Sequence, residues 1–292
     1  MNWELQPRID KNRNLLGISN TLVRNQPPLV HVRADLAEIL NGIKTLVYIP
    51  YAYGNMDGII DRLRPEFEKV GITSVESPHY HSNDEIQIIR DGEAIFIGGG
   101  NTGRLVANLH ALRNPDGVFV DQRPSASKNA LVDELRRKVA SGVPVIGSSA
   151  GLNVMCEDVR TTNDMQAAVQ ETVDGKLSLR IDALGLFPQN FSVNPHYIDQ
   201  VTVTEQERAA ILAINPQLRA LTDHQGESRL DRLSQILEMD PTRKVLALRE
   251  GSYIRVQGMT MEVKGTTGGL IFQFGQEPRA VNNGDRIDFL LK

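Results

Sequence analysis

The stretch VPVIGSSAGLN, residues 143–153, decides the fold of this chain. Its first half is a short run of β-branched and almost uniformly apolar residues, which is typical of a strand buried on both faces of a parallel sheet. Its second half is a turn of small residues, followed by residues that are able to start a helix. A buried strand that runs through such a turn into a helix indicates an α/β fold.

Two further apolar runs repeat this pattern, at residues 45–50 (TLVYIP) and 94–97 (AIFI). Helical patterns lie between the runs. One covers residues 59–70 and contains a proline, which predicts a kink or two helical pieces. The other covers residues 129–140, where apolar residues are spaced four apart on one face. This alternation predicts a mostly parallel sheet that is covered by helices.

The last third of the chain has a different pattern. Short strand candidates lie close together between residues 245 and 274, and glycines separate them. This spacing predicts antiparallel hairpins at one end of the sheet. No repeat or linker divides the sequence, so we expect a single domain over residues 1–292. Within it, residues 1–13 are interpreted as an N-terminal extension and residues 114–129 as a surface insertion.

Composition and charge argue against several classes of protein. Hydrophobic residues make up 40% and charged residues 23% of the 292 residues, as in an ordinary globular protein. The net charge of -4 gives no electrostatic reason to expect nucleic acid or a membrane surface as a partner. No apolar run has the length of a membrane helix or a signal peptide. The single cysteine, Cys156, excludes an internal disulfide, and we expect a cytoplasmic location.

The motif around Ser149 has the G-x-S-x-G pattern of a nucleophile elbow. Small neighbours let the backbone fold into a strained strand-to-helix turn and let a substrate carbonyl approach. The amide of Ala150 would then point toward an oxyanion near the start of the helix. The alternative is an ordinary strand-to-helix turn, and Ser148 is the competing serine.

A second glycine-rich turn, GGGNT at residues 98–102, follows the apolar run at 94–97. Its amides are uncovered by side chains, so Gly99 or Gly100 could supply a second oxyanion donor. A flexible turn and a phosphate cradle are the alternatives. The dinucleotide and Walker glycine patterns are absent from this segment.

A general base and an acid are needed to activate a serine. His196 follows an expected strand at residues 190–193 and is one candidate base, whereas His224 is a rival. Asp164 and Glu250 both follow apolar segments, and position alone does not choose between them. One thiol and scattered histidines argue against a structural metal site, so no metal is expected.

Taken in order, these motifs resemble the peptidase E family of serine peptidases, which also includes cyanophycinase. The matching segments are GGGNT at 98–102, GSSAGLN at 147–153, TTNDM at 161–165, LGLFP at 184–188, NPHY at 194–197, HQGESR at 224–229 and ALREGS at 247–252. TTNDM with NPH downstream is the most specific combination. The resemblance implies a flavodoxin-like α/β fold akin to class I glutamine amidotransferases, with serine in place of cysteine at the elbow. An α/β-hydrolase is the alternative fold.

The resemblance also implies roles for individual residues. Ser149 matches the family nucleophile and His196 the family base. Asp164 and Glu250 both match family acids, and we favour Asp164 for the triad because its motif is the more distinctive. The implied oxyanion donors are the amides of Gly99, Gly100 and Ala150.

The implied activity is that of a serine exopeptidase that hydrolyses dipeptides with N-terminal aspartate through an acyl-enzyme, without a cofactor. Arg229 is the candidate partner for the aspartate side chain, because a guanidinium binds a carboxylate in bidentate fashion. Its alternative is a surface ion pair with Glu227 or Asp231, and Asn101 is a further candidate substrate ligand. A cyanophycinase-like hydrolase of aspartyl-arginine polymer and an inactive binding module of the same fold remain alternatives. The expected partner is a small peptide, and the oligomeric state is left open, with a homodimer as one alternative.

Overall fold

Strands and helices alternate through the first half of the chain, as the apolar runs predict. The computed structural model describes residues 5–80, 84–110, 130–164, 169–173, 176–199, 204–216 and 228–292. In chain order, the strands are β1 (Asn14–Ile18), β2 (Thr45–Ile49), β3 (Ser74–Glu76), β4 (Ala94–Ile97), β5 (Val145–Ser148), β6 (Val169–Val173), β7 (Lys176–Arg180), β8 (Phe191–Tyr197), β9 (Lys244–Arg249), β10 (Ser252–Gln257), β11 (Thr260–Gly265), β12 (Gly269–Gln273) and β13 (Arg279–Val281). The helices are α1 (Gln6–Asn12), α2 (Arg33–Ile39), α3 (Met56–Glu68), α4 (Glu85–Asp91), α5 (Thr102–His110), α6 (Ala130–Ala140), α7 (Ala150–Asn153), α8 (Glu205–Ile214) and α9 (Arg229–Met239), with short 3-10 helices at Val30–Val32, Pro78–Tyr80 and Asp288–Leu291.

The central sheet of the described residues has the strand order β11-β10-β1-β5-β4-β2-β3. Strands β1, β5, β4, β2 and β3 run parallel to one another. Strands β10 and β11 extend the sheet in the antiparallel sense. The predicted mostly parallel sheet of an α/β fold is therefore confirmed. The carboxyl ends of β1, β4 and β5 meet at one edge, where ligands bind in open α/β sheets.

Burial on both faces explains why the parallel strands are apolar at nearly every position. On β2, Val47 and Ile49 belong to one hydrophobic core, whereas Leu46 and Tyr48 belong to the core on the opposite face. Successive side chains of a strand point to opposite faces, so two covering layers of helices need a continuous apolar run. The helix with Pro65 is the single helix α3, not two pieces.

The antiparallel region differs from its prediction in one respect. Strands β10 and β11 do form a hairpin on the central sheet, but β9 and β12 lie in a second sheet of order β13-β12-β9-β8. In this sheet β8 and β9 are parallel, and the other pairs are antiparallel. The short connection between β9 and β10, with Gly251 at φ 86°, resembles a hairpin turn in sequence. It carries the chain from one sheet to the other instead.

The segment interpreted as an N-terminal extension contributes to the packed structure. Helix α1 packs against α6, and Ile9 is buried. Arg13 is also buried, where its Nε donates to the carbonyl oxygen of Leu186 at 2.6 Å and its Nη2 contacts Asp10 at 2.5 Å. Burial lowers the pKa of the Arg13 guanidinium, and Asp10 opposes that change.

Two other expectations fall on residues that are not described. The surface insertion expected at residues 114–129 lies outside the described residues, and so does His224. Across the described ranges, no helix combines the length and the apolar character needed to cross a membrane.

Candidate active site

Ser149 occupies a strained turn between β5 and α7. Its backbone has φ 55° and ψ -114°, in the region of positive φ that non-glycine residues rarely adopt. Such a conformation costs about 1–3 kcal/mol and persists only where the surroundings enforce it. The Ser149 amide donates to the carbonyl oxygen of Ile18 at 2.9 Å, and its carbonyl oxygen accepts from the amides of Leu152 and Asn153. These bonds hold the strained strand-to-helix turn that the G-x-S-x-G motif predicts.

Close packing around the elbow requires glycine at residue 151 and leaves little room at residue 99. A Cβ on Gly151 would lie 2.1 Å from the carbonyl oxygen of Ile97, which no real contact permits. A Cβ on Gly99 would lie 3.0 Å from the Cβ of Ser149. The backbone of the GGGNT turn therefore passes directly beside the serine side chain.

His196 reaches the elbow from the second sheet. It lies near the end of β8, an edge strand whose register is interrupted between Asn194 and Tyr197. Pro195 cannot donate a ladder hydrogen bond, which suits an edge strand with a bulge. His196 itself has φ 55°, and its amide donates to the hydroxyl of Ser19 at 2.9 Å. The irregularity turns the imidazole toward the carboxyl edge of the central sheet.

The imidazole of His196 lies between a hydroxyl and a carboxylate. Its Nε2 is 2.8 Å from Oγ of Ser149, and its Nδ1 is 2.6 Å from Oε1 of Glu250. These partners assign the proton to Nδ1, which donates to the carboxylate, so that Nε2 accepts from the serine hydroxyl. This arrangement is able to move the serine proton onto Nε2.

The expected contact between Asp164 and His196 is wrong. Oδ2 of Asp164 accepts from the amide of Thr102 at 2.6 Å, and the Asp164 amide donates to the hydroxyl of Thr162 at 3.2 Å. Thr102 is the first residue of α5, where a carboxylate satisfies a free amide and interacts favourably with the helix dipole. Asp164 is thus held at the start of α5, while Glu250 takes the position beside His196.

Two hydrogen bonds to the peptide group between Glu250 and Gly251 fix the backbone that carries the Glu250 side chain. The amide of Gly251 donates to Oδ1 of Asn20 at 2.8 Å, and the hydroxyl of Thr267 donates to the carbonyl oxygen of Glu250 at 2.6 Å. The Glu250 side chain itself is 58% exposed. The connection between the two sheets is therefore fixed where it presents the carboxylate.

Sequence reasoning missed the supporting residues Ser19 and Asn20. They follow β1, a strand that the apolar runs did not identify. The hydroxyl of Ser19 accepts from the His196 amide and donates to the carbonyl oxygen of Leu248 at 3.0 Å. The signal in the sequence is LLGISN at residues 15–20, an apolar run that ends in two polar residues.

Three backbone amides of the elbow and of the GGGNT turn are available as oxyanion donors. Within the part of the chain that the structure describes, the amides of Gly99, Gly100 and Ala150 donate to no acceptor. The neighbouring residue Asn101 has a different position from the one expected. Its Oδ1 accepts from the amide of Arg104 at 2.8 Å at the start of α5, and it does not line the cavity.

The serine lies in a cavity of about 630 Å³. Its lining includes Asn20, Leu22, Tyr48, Tyr53, Ile59, Arg62, Leu63, Gly99, Gly100, Ser149, Asn163, Asp164, His196, Arg229 and Glu250. All the predicted site residues line this cavity except Asn101 and Ala150, and Ala150 directly follows Ser149 in the chain. No group of three metal-ligating side chains occurs among the residues that are described.

Arg229 enters this cavity from the first turn of α9. Its Nη1 is buried and has no hydrogen-bond partner among the described residues. Burial lowers the pKa of the guanidinium, and the nearby charge of Glu250 opposes that change. The alternative ion pair with Asp231 is not formed, because that carboxylate caps α9 through the hydroxyl and amide of Ser228. Glu227 lies outside the described residues.

Comparison with known proteins agrees with the motifs. The model of peptidase family S51 matches residues 15–118 and 124–264. The chain belongs to peptidase family S51. This S51 member is therefore a hydrolase of the peptidase class, and the resemblance to peptidase E is confirmed.

Relatives of this S51 peptidase match it over most of their length. A "Peptidase E" of Nostoc sp. is 28% identical over 96% of this chain and 98% of its own length. A "Probable alpha-aspartyl dipeptidase" of Drosophila melanogaster is 32% identical over 84% of each chain. A solved structure described as a "Putative Peptidase E Protein" from Listeria monocytogenes covers 87% of this chain with a TM-score of 0.51 and 18% identity, and it supports the fold.

Cys156 is expected to be inert toward alkylating reagents. It is fully buried in this S51 peptidase, and its Sγ accepts from the amide of Val193 at 3.3 Å. Burial raises the pKa of the thiol to about 12, so almost no reactive thiolate exists at neutral pH. Incubation of the folded enzyme with iodoacetamide should leave peptide hydrolysis unchanged. Rapid inactivation that Cys156→Ala abolishes would contradict this prediction.

Proposed function

We propose that this chain is a serine-type dipeptidase that hydrolyses dipeptides with N-terminal aspartate through an acyl-enzyme on Ser149. The observation that carries the proposal is the hydrogen-bonded series from Ser149 through His196 to Glu250. The name of the Drosophila relative, an alpha-aspartyl dipeptidase, supports the substrate class. The unpaired guanidinium nitrogen of Arg229 in the same cavity supports it independently.

In the proposed mechanism, Oγ of Ser149 attacks the scissile carbonyl carbon while Nε2 of His196 takes the hydroxyl proton. Glu250 stabilises the imidazolium that forms. The amide of Ala150 and that of Gly99 or Gly100 donate to the oxyanion of the tetrahedral intermediate. His196 then gives its proton to the leaving amine, and the acyl-enzyme remains. A water molecule, deprotonated by His196, hydrolyses that ester and releases aspartate.

Two charged groups of the cavity fit the N-terminal aspartate. A carboxylate that enters a partly dry pocket needs a cation to offset its desolvation, and the half-buried Arg229 offers one. The free α-ammonium group needs an anion. Asp164 lines the cavity, and one of its two oxygens remains available beyond the contact with Thr102. We therefore assign the side-chain carboxylate to Arg229 and the ammonium group to Asp164.

Replacement of Arg229 tests the proposed selectivity. Arg229→Ala should lower kcat/KM for aspartyl dipeptides. The corresponding loss of transition-state stabilisation should be about 2–4 kcal/mol, the scale of losing one partner of a buried charge pair. Arg229→Lys should recover only part of the loss, because lysine keeps the positive charge but lacks the planar fork of the guanidinium group. The matched control is Arg286→Ala, which removes a surface arginine paired with Asp288 at 2.8 Å. Kinetics of the variants on one aspartyl dipeptide provide the measurement.

The outcomes separate mechanism from selectivity. Fluorophosphonate labelling of Ser149 should persist in Arg229→Ala, because nucleophile and base are unchanged. Unchanged dipeptide kinetics in that variant would exclude Arg229 from the pocket. A panel of dipeptides with and without N-terminal aspartate tests the substrate class: indifference to aspartate would leave only a serine hydrolase. Hydrolysis of aspartyl-arginine polymer in place of dipeptides would favour the cyanophycinase-like alternative.

A further inference from the structure

A third unpaired charge lines the cavity, and the proposed mechanism does not use it. Arg62 lies on α3, exposes its side chain and lines the same cavity as Ser149. Its guanidinium group forms no hydrogen bond or ion pair with any residue that the structure describes. Two other arginines at α3 do form ion pairs. Arg64 on the same helix pairs with Asp61 at 3.7 Å, and Arg33 of α2 pairs with Glu66 of α3 at 3.0 Å.

Apolar side chains surround this part of the cavity. Ile59 and Leu63 are spaced three and one positions from Arg62 on α3, and both line the cavity. Leu22 and Tyr53 also line it and are 41% and 40% exposed. A cation with an apolar rim fits a ligand that carries a carboxylate beside a hydrophobic side chain.

The charges of the cavity can be compared with those of an aspartyl dipeptide. Such a substrate carries an α-ammonium group, a side-chain carboxylate and the terminal carboxylate of its leaving residue. Glu250 is already paired with His196, so the remaining charged side chains of the lining are Asp164, Arg229 and Arg62. One anion and two cations therefore face one cation and two anions of the substrate.

Burial distinguishes the two arginines. Arg229 has a buried nitrogen on the α9 side, where desolvation strengthens selection of the aspartate side chain. Arg62 is exposed on the α3 side, where solvent screens its charge. A screened contact suits the terminal carboxylate, which every free dipeptide shares and which departs with the first product.

We propose that Arg62 binds the terminal carboxylate of the leaving residue, and that Leu22, Tyr53 and Ile59 receive the side chain of that residue. This inference rests on the proposed dipeptidase function and adds a specificity residue to it. It makes the enzyme selective for free dipeptides over peptides whose second residue is blocked or extended.

The test compares Asp-Leu with Asp-Leu amide, which differ only in the terminal charge. The wild-type enzyme should prefer the free acid by about threefold to fivefold in kcat/KM, the upper part of the range for one solvent-exposed charge pair. Arg62→Gln should reduce this ratio to about one, and Arg62→Glu should invert it in favour of the amide. Arg64→Gln is the matched control on the same helix, and it should keep the wild-type ratio.

The possible results separate the role of Arg62 from the proposed dipeptidase function. If Arg62→Gln keeps the wild-type ratio in a variant whose thermal unfolding matches that of the wild type, the inference is overturned while the proposed function stands. A wild-type enzyme that cleaves both substrates equally well also overturns it. A wild-type enzyme that cleaves neither substrate overturns the proposed function itself, and the role of Arg62 with it.

Discussion

Ser149→Ala is expected to lower kcat by roughly 10⁴-fold or more, as the loss of a triad nucleophile does. The physical reason is that no other hydroxyl lies 2.8 Å from Nε2 of His196 among the described residues. Binding groups and oxyanion donors stay in place, so KM should change little. Steady-state hydrolysis of an aspartyl dipeptide measures the effect, and active-site labelling by a fluorophosphonate should disappear.

The adjacent serine supplies the control. Ser148 has no exposed surface, and its hydroxyl is buried without a hydrogen-bond partner in the described part of the chain. Ser148→Ala therefore leaves no partner unsatisfied and should change kcat by less than about twofold. A variant pair that behaves in the opposite way would show that the elbow is assigned to the wrong serine.

Glu250→Gln is expected to lower kcat by on the order of 10³-fold. The glutamine amide can donate to Nδ1, which favours the imidazole tautomer with its proton on Nε2, and it cannot stabilise an imidazolium. We place the effect below the roughly 10⁴-fold loss known for a buried triad acid, because the Glu250 side chain is 58% exposed. Dipeptide kinetics and the rate of fluorophosphonate labelling should both fall.

Asp164→Asn distinguishes the two acids. Because Asp164 contacts the amide of Thr102 and not the imidazole, its replacement should raise KM more than it lowers kcat. Labelling of Ser149 should continue at close to the wild-type rate. Loss of labelling in Asp164→Asn, together with near-normal labelling in Glu250→Gln, would return the triad role to Asp164.

A strand could be predicted from the sequence where its residues form an uninterrupted apolar run. The run at residues 94–97 coincides with β4, because burial on both faces leaves no polar position to blur its ends. Strand β1 was not predicted, because the glycine near its centre, Gly17, is a residue typical of turns. In the structure, a Cβ at residue 17 would lie 2.6 Å from Cδ1 of Leu152 on α7 and 2.9 Å from Cγ1 of Ile254, so both buried side chains would have to shift.

The site was predictable only as far as local motifs reach. The elbow is encoded in eleven consecutive residues, 143–153, whereas the choice between two acids depends on strand pairing. In the parallel pair β8 and β9, Tyr197 lies opposite Arg249, which brings Glu250 to the side of His196. Nothing near Asp164 in sequence reveals that its carboxylate is taken by the start of α5. The sequence did not indicate Arg62 as a site residue for a similar reason, since an arginine on an amphipathic helix is usually a solvent-exposed surface residue.

The division of the three hydrogen-bonded side chains between two sheets has a consequence for folding. Ser149 follows a strand of the central sheet, His196 lies in the second sheet, and Glu250 occupies the connection between them. A chain that has formed only the central sheet would hold a serine with no base beside it. We therefore expect the proposed activity to appear only after contacts between residues 47 and 54 positions apart have formed, because such long-range contacts form slowly compared with local helices. We therefore expect a nascent chain that ends before residue 250 to lack the proposed hydrolytic activity.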